Sequence, residues 1–418
     1  MTTTTTTTAG GVKVVKPTVG SHLNDYWGRV RGGDLGTLPA VLGLVVLALI
    51  FGIARDTFFS SLNFANLFSQ GAQYIFIAMG LVFVLLLGEI DLSAGFASGV
   101  CGAIMAILLT NHGWDWYTAI PAAMATGIVI GFVLGFLVAK FGIPSFVVTL
   151  AAFLAFQGIL LKLLSGGKNI SITDSFTLKL ANSNLSVSLS WIFAIAAVVI
   201  YAGVQLNRVR TRLARGLVTD PIGIVAMRIG VLALIVLVTT ALLTQERSIN
   251  PVLNSVKGVP IVAPIIVVFL VIWTFVLGST TYGRHVYAVG GNTEAARRAG
   301  IPVDRIRISV FVIGSFMASI GGILAVSRAN SVDPNTGGSN ILLYSVGAAV
   351  IGGTSLFGGK GKAINAVIGG AVITVIDNGM GLMGYTAGTK YIVTGLILLV
   401  AASVDALARR RAASTGNR

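Results

Sequence analysis

The chain has 418 residues, of which 55% are hydrophobic and 10% charged, with a formal net charge of +15 at pH 7. About a quarter of the residues in a soluble domain are charged, so this composition excludes a soluble globular protein and places much of the chain in lipid. The lone cysteine, Cys101, excludes an intrachain disulfide. The three histidines lie too far apart in sequence to supply a multi-histidine metal site from neighbouring positions.

A polar segment, residues 1–36, opens the chain, and its threonine tract predicts a largely disordered region. It is followed by twelve apolar runs close to the roughly 20 residues that cross a bilayer. They lie near 37–54, 71–88, 93–110, 118–139, 146–164, 190–206, 223–243, 260–278, 307–327, 342–357, 363–381 and 389–407. The sequence therefore predicts an all-α polytopic membrane protein with about 12 (10–12) transmembrane helices over residues 37–408. Glycines interrupt 342–381, so this stretch is either two short spans or a re-entrant hairpin.

The basic residues orient these spans. With the N-terminus inside, 21 of the 29 Lys and Arg residues fall on inner segments and eight on outer ones. Because cytoplasmic loops of membrane proteins are enriched in Lys and Arg, both termini are predicted to be cytoplasmic, including the basic tail 409–418. The positive charge is then a topology signal, and no nucleic-acid partner is needed to explain it.

Acidic residues are scarce near the spans. Glu89, Asp91 and Ser93 lie in a break between the second and third runs, where Asp91 is expected to cap the next helix and the role of Glu89 stays open. Asp377 lies in the eleventh run, and we expect it near a helix end in water. The sequence has no chain of acids and histidines that indicates a proton relay.

Two further patterns concern helix packing and a candidate transport pathway. Glycines spaced by four, at Gly127, Gly131 and Gly135, predict close helix contacts, either static or along a seam that moves. Hydrogen-bonding groups and aromatic faces suit the passage of a polar solute, and position alone suggests six candidate pathway residues. They are Gln73, Tyr74, Phe153, Gln157, Asn330 and Tyr344.

The polar loop 283–307 lies between two long apolar runs and encodes one short helix, about 292–300. Asn292 or Thr293 can cap its N-terminus, where Glu294 also suits the helix dipole. Gly300 is the expected left-handed terminator, followed by Ile301 and Pro302. A two-turn helix alone in water is marginal, so we expect this one to dock into a partner. The candidate docking residues are Gly290, Gly291, Asn292, Thr293, Glu294, Ala295, Ala296, Arg297, Gly300 and Ile301.

Motifs of catalysis are missing from the sequence. It has no Gly-x-x-x-x-Gly-Lys-Ser/Thr phosphate loop, since the glycine-rich stretch 353–362 ends without that signature and is better interpreted as a tight turn at the membrane surface. It also has no His-Glu-x-x-His zinc motif. The sequence therefore favours a transport subunit over an enzyme, with no cofactor or metal bound by this chain.

Four passages in chain order resemble ribose- and xylose-type ABC sugar importer permeases. They are 88–95, 142–150, 282–301 and 351–361, the third being the family's coupling loop. Two additional apolar runs, 190–206 and 223–243, joined by the basic segment Arg208–Arg215, resemble the longer xylose-type branch. Glu89 departs from the family, which commonly has glycine there.

This resemblance implies a homodimeric permease that imports a monosaccharide, with a pentose such as D-xylose favoured. It implies an extracytoplasmic sugar-binding protein and a separate ATP-binding cassette ATPase, which carries ATP and Mg and receives the 292–300 helix. The alternatives are an ion-gradient-driven secondary sugar transporter, which twelve spans fit equally well, and a channel-like or structural membrane protein.

Overall fold

The computed structural model describes residues 36–414 except 249, 253 and 254. Within the first 35 residues it describes Thr5–Thr6, Val14–Val15, Gly20 and Gly28. The predicted disordered segment 1–36 therefore lies almost entirely outside the described residues, as do residues 415–418 of the predicted basic tail.

Across the described residues the chain forms fifteen α-helices. Their bounds are Leu38–Ala54 (α1), Ser61–Leu86 (α2), Ala94–Thr110 (α3), Trp116–Lys140 (α4), Ser145–Leu163 (α5), Ser175–Asn182 (α6), Val187–Ala214 (α7), Ile222–Leu243 (α8), Val262–Ser279 (α9), Thr281–Gly291 (α10), Thr293–Arg298 (α11), Val303–Ala329 (α12), Ser339–Ile351 (α13), Ala363–Leu382 (α14) and Ala387–Ser414 (α15). A 3₁₀ helix covers Asp56–Phe59. Two antiparallel pairs of two-residue strands join Thr5–Thr6 to Val14–Val15 and Ile170–Ser171 to Ser331–Val332.

Each of the twelve predicted apolar runs coincides with a helix. Of the described helices, eight are long and apolar enough to cross a membrane, namely α2, α4, α5, α7, α8, α9, α12 and α14. The apolar parts of α1, α3, α13 and α15 are shorter. These helices confirm a polytopic helical membrane protein, while twelve crossings and cytoplasmic termini stay predictions. The stretch 342–381 forms a helical hairpin, in which the 13-residue α13 is about 20 Å long and thus shorter than the hydrocarbon core of a bilayer.

The chain divides into two compact units. One contains residues 185–259, in which α7 and α8 pack as a hairpin. The chain turns again after α8 at Glu246, whose carboxylate accepts hydrogen bonds from the Ser255 hydroxyl and from the Ser248 and Val256 N–H groups. These hydrogen bonds lower the pKa of Glu246 to about 2. Glu246 therefore holds together the described residues on the two sides of this turn.

The other unit contains residues 36–184 and 260–406, with α12 at its centre packed against α2, α3 and α4. Glycines permit this contact, because a side-chain carbon at Gly127 would lie 2.7 Å from the Ser315 carbonyl oxygen. At Gly135 it would lie 2.8 Å from the Ile308 Cα. The glycines spaced by four thus form a tight face along α4 that admits no side chain, and they have a packing role in this structure.

A short helix covers the end of α12. Ser327 accepts a hydrogen bond from the Ala181 N–H at 3.1 Å through its hydroxyl, and its carbonyl accepts one from the Asn182 amide at 2.7 Å. The polar stretch between α5 and α7 therefore contains α6, which packs against the end of α12 within the same unit.

Candidate coupling surface and its supporting motifs

The predicted loop helix is present as α11, with both ends formed as the sequence indicates. The Asn292 side chain accepts a hydrogen bond from the Ala295 N–H at 2.9 Å, and Glu294 pairs with Arg298 at 3.2 Å. Gly300 ends the helix with φ of +80°, a conformation that favours glycine. The helix is six residues long and follows α10 after Asn292, so all of 283–291, which we expected to be loop, is helical.

The two faces of α11 differ. Ala296 is 4% exposed and packs into its own chain, and Ile301 is half-buried. Asn292, Glu294, Ala295 and Arg297 are exposed. Of the two alanines predicted to dock, Ala295 is therefore available to a partner, whereas Ala296 holds the helix in place.

Gly290 fixes the other end of this surface by a close backbone contact. A side-chain carbon at Gly290 would overlap the Leu86 carbonyl oxygen and lie 3.0 Å from the Gly359 nitrogen. The Gly359 N–H donates to the same Leu86 carbonyl at 2.8 Å. A side-chain carbon at Gly358 would lie 3.0 Å from the Gly88 nitrogen, so the passages 88–95, 282–301 and 351–361 meet backbone to backbone at this junction. Gly291, by contrast, has open space on its side-chain direction.

Tyrosine hydroxyls strengthen this junction. The Tyr287 hydroxyl donates to the Gly361 carbonyl at 2.7 Å, and burial raises the pKa of Tyr287. The Tyr282 hydroxyl lies 2.9 Å from the Ser309 hydroxyl, and burial raises the pKa of Tyr282 to about 12. Both phenols therefore stay protonated at neutral pH and tie α10 to the α13–α14 turn and to α12.

The remaining passage, 142–150, binds the chain at the break between α2 and α3. The Ile90 N–H donates to the Ser145 hydroxyl at 3.1 Å, and the Thr149 hydroxyl lies 3.2 Å from the Ile90 carbonyl oxygen. Asp91 is buried and accepts hydrogen bonds from the N–H and hydroxyl of Ser93 at 2.8 and 2.6 Å. Asp91 therefore orders Ser93, the residue that precedes α3, and its predicted role as a helix cap stays a prediction. All four passages converge on one end of the helices.

An ion pair that was not predicted from the sequence links the break after α2 to α12. Glu89 lies 3.1 Å from Arg307 in the first turns of α12, and the two side chains are 14% and 25% exposed. The pair joins the helix break to the segment that follows α11. Lys140 and Asp304 form a second pair at 2.9 Å beside a shallow concave surface that Arg297 and Arg305 also line. The exposed surface around α11 is therefore polar and predominantly basic.

Known proteins are similar to this chain over most of its length. The family described as "Branched-chain amino acid transport system / permease component" matches residues 63–402. The xylose transport system permease protein of Escherichia coli strain K12 is 34% identical over 402 residues, which cover 96% of this chain and 98% of that protein. The chain belongs to this permease family.

Other permeases extend the comparison. The xylose transport system permease of Haemophilus influenzae is 32% identical over 378 residues, covering 90% of this chain and 98% of that protein. The ribose import permease of Escherichia coli is 29% identical over 366 residues, covering 88% and 92%. No solved structure matches the chain. The resemblance inferred from the four passages is confirmed, and the permease is a multi-pass protein of the cell membrane and a transporter subunit, not an enzyme.

Two of the six candidate pathway residues meet at the far end of the permease from α11. Tyr74 and Tyr344 make an edge-to-face contact with ring centroids 5.4 Å apart, and both line a cavity of about 280 Å³. Asp377 lines the same cavity and pairs with Lys390 at 3.2 Å. Asp377 lies five residues before the end of α14, so it is an ion-paired cavity residue and not a group in free water at a helix end.

The other four candidates lie apart from this cavity. Phe153 packs against Phe96 with centroids 4.8 Å apart, Gln157 is exposed on α5, and Gln73 is partly buried. The Asn330 side chain accepts a hydrogen bond from Asn182 at 3.0 Å. The structure thus joins Tyr74 and Tyr344 in one cavity and leaves the remaining four in separate environments.

The sequence analysis did not predict a buried network of amide side chains near the cavity. Asn63 and Asn378 exchange two hydrogen bonds of 2.9 Å, and Asn378 also donates to Gln70 at 2.9 Å. Polar side chains within apolar helices usually pair across the helices. Asn378 stands beside Asp377 in an apolar run, and this pair of polar residues was the available signal for the network.

Proposed function

We propose that the permease imports a monosaccharide, a pentose such as D-xylose, as one half of a homodimer driven by a separate ATP-binding cassette ATPase. An extracytoplasmic sugar-binding protein delivers the sugar. ATP and Mg act on the partner subunit, and this chain binds neither. The choice of sugar follows the names of the similar permeases, two of which are xylose transport system proteins.

The observation that carries the coupling part of this proposal is the exposed, rigidly supported helix α11. An exposed short helix is commonly seated in a groove of a partner protein. Its capped ends, its buried Ala296 and the backbone contacts of Gly290 fix its position, while Ala295 and Arg297 remain free to contact a partner. The basic surface around it suits an acidic groove.

The connections of α11 determine how movement of the partner reaches the spans. Through Gly300 and Pro302 the helix continues into α12, and through α10 it continues back to α9. Gly290 contacts the end of α2 and the turn between α13 and α14. A displacement of α11 by the ATPase is therefore passed to the ends of α2, α9, α12, α13 and α14 together.

The test compares the same substitution at two exposed alanines. Ala295→Glu on α11 is expected to weaken co-purification with the ATPase subunit about tenfold or more, because a carboxylate buried without a partner costs roughly 2 kcal/mol. ATP-driven uptake of D-xylose should fall with it. Ala214→Glu at the exposed end of α7 is the control and should leave both unchanged. Normal uptake and co-purification for Ala295→Glu at normal membrane abundance would contradict the proposal.

Reconstitution separates this function from its rivals. The permease alone in vesicles, under a proton or sodium gradient, is expected to accumulate no D-xylose. Uphill accumulation under either gradient would establish the secondary transporter instead, and passive saturable flux without ATP would establish a channel.

A further inference from the structure

The cavity at the end of the permease opposite α11 has the composition of a carbohydrate site. The rings of Tyr74, Tyr344 and Tyr391 form a chain, with centroids 5.4 Å apart for the first pair and 6.4 Å for the second. Tyr344 is 4% exposed and Tyr391 is 50% exposed, so the rings run from the buried floor of the cavity to its mouth. Aromatic rings offer flat apolar faces with a polar hydroxyl at the edge, and such faces match the C–H faces of a sugar ring.

Polar groups converge on the same space. Asp377 and Lys390 form an ion pair of 3.2 Å whose side chains are 28% and 22% exposed, and Asn340 also lines the cavity. An ionised residue within an apolar helix is costly and is usually retained where it lines a polar cavity or pathway. A carboxylate accepts hydrogen bonds, an ammonium donates them and an amide does both. Together the three groups can satisfy the adjacent hydroxyls of a polyol, each of which both donates and accepts.

The cavity also has the size and position that such a ligand requires. Its volume of about 280 Å³ is near the lower end of the range for small-molecule sites. It lies on α2, α13 and α14, and the same three helices reach Gly290 and the α13–α14 turn at one of their ends. From Tyr74 to Leu86 and from Asp377 back to Ala363 the helices rise about 18 and 21 Å, at 1.5 Å per residue.

We propose that this cavity, lined by Tyr74, Tyr344, Tyr391, Asn340, Asp377 and Lys390, is a binding subsite for a monosaccharide within each permease subunit. The tyrosine faces hold the sugar ring, and Asp377, Lys390 and Asn340 bind its hydroxyls. The subsite and the contacts of Gly290 lie at separate positions along the shared helices α2, α13 and α14. The choice of D-xylose as the probe rests on the proposed function.

The test uses cysteine protection in the full-length permease in nanodiscs, without ATPase or ATP. Cys101 is fully buried, so the unmodified chain gives little background labelling by a bulky polar maleimide. Ala387→Cys places a thiol at the exposed edge of the cavity, and Asn169→Cys places one at an exposed position outside it. D-xylose at ten times its dissociation constant is expected to slow labelling of the first thiol about tenfold, by mass action. It should leave labelling of the second thiol unchanged.

Two further variants assign the protection to the proposed residues. Asp377→Asn and Tyr391→Ala, each combined with Ala387→Cys, are expected to lose protection at that D-xylose concentration. Tyr391 is half-exposed, so its replacement keeps the subsite testable if Asp377→Asn fails to fold. Undiminished protection in both variants would overturn the proposal.

Other outcomes overturn the proposal too. D-xylose without effect on the Ala387→Cys thiol, up to concentrations that saturate transport, excludes the subsite. Equal protection by sucrose assigns the effect to the bulk solution. Labelling that responds to phosphatidylglycerol in the nanodisc and not to D-xylose assigns the cavity to lipid. Because no ATPase is present, failure of the proposed coupling leaves this result intact, and the two proposals fail separately.

Discussion

Two regions along α2, α13 and α14, the α11 end and the cavity, are built in different ways. At the α11 end, backbone meets backbone, and a side-chain carbon at Gly358 would lie 2.7 Å from the Gly290 carbonyl oxygen. In the second region, side chains surround a cavity of about 280 Å³, and the Asp377–Lys390 ion pair lines it. The backbone contacts near α11 leave no space for an added side-chain carbon, whereas the cavity has space for a small ligand. A transporter that is moved by a partner needs a rigid contact where force enters and an open space where the substrate binds.

The largest effect is expected where the backbones touch. Gly290→Ala places a methyl group onto the Leu86 carbonyl oxygen, and we expect a loss of about 1–3 kcal/mol or more in stability. Gly291→Ala adds the same methyl group one residue away, where nothing lies within 4 Å, and should stay within about 0.5 kcal/mol. Thermal unfolding of the two purified variants in detergent measures the difference, and equal melting temperatures would show that this contact is not rigid.

The Glu89–Arg307 pair gives the next effect. Glu89→Gln leaves a partly buried Arg307 without its counter-charge, and we expect a loss of about 1–2 kcal/mol, below the value for a fully buried pair. A double-mutant cycle with Arg307→Met measures the coupling between the two side chains. Additive losses within about 0.3 kcal/mol would mean that the pair contributes nothing of its own.

The contrast between the two ends also explains what the sequence could predict. Close backbone packing requires glycine, and a capped helix requires Asn292 and Gly300, so the α11 end appears in the sequence as short continuous motifs. The twelve apolar runs were likewise found, because hydropathy is local. The cavity combines Tyr74, Tyr344, Asp377 and Lys390 from four helices, and no local pattern links residues that far apart. The helix α10 was missed because its glycines obscured an amphipathic segment that packing stabilises.

A smaller effect is expected at the helix break. Ser145→Ala removes the acceptor of the Ile90 N–H and should cost about 1 kcal/mol, the typical worth of one hydrogen bond. Ser145→Thr keeps the hydroxyl and serves as the control. Hydrogen exchange of residues 88–93 reports the change locally, and unaltered protection in Ser145→Ala would show that the break is held by other contacts.

The smallest stability change is expected at the cavity. Lys390→Met removes a partly exposed ion pair, and pairs of this kind contribute only about 0–1 kcal/mol. The variant should therefore melt near the wild-type temperature. Such a result would show that the cavity contributes less to stability than the backbone contacts at Gly290. A loss as large as that of Gly290→Ala would show that the Asp377–Lys390 pair serves the fold.

Site-specific crosslinking of α11 to the ATPase tests the central claim most directly. With Cys101 buried, Ala295→Cys provides an exposed thiol on α11, and Ala214→Cys provides one at the end of α7. In the assembled transporter, a short bifunctional crosslinker should join the α11 thiol to the ATPase subunit, with a yield that changes on adding ATP, and should leave the α7 thiol unlinked. An intact, transport-active complex in which the α11 thiol forms no crosslink to the ATPase would contradict the account.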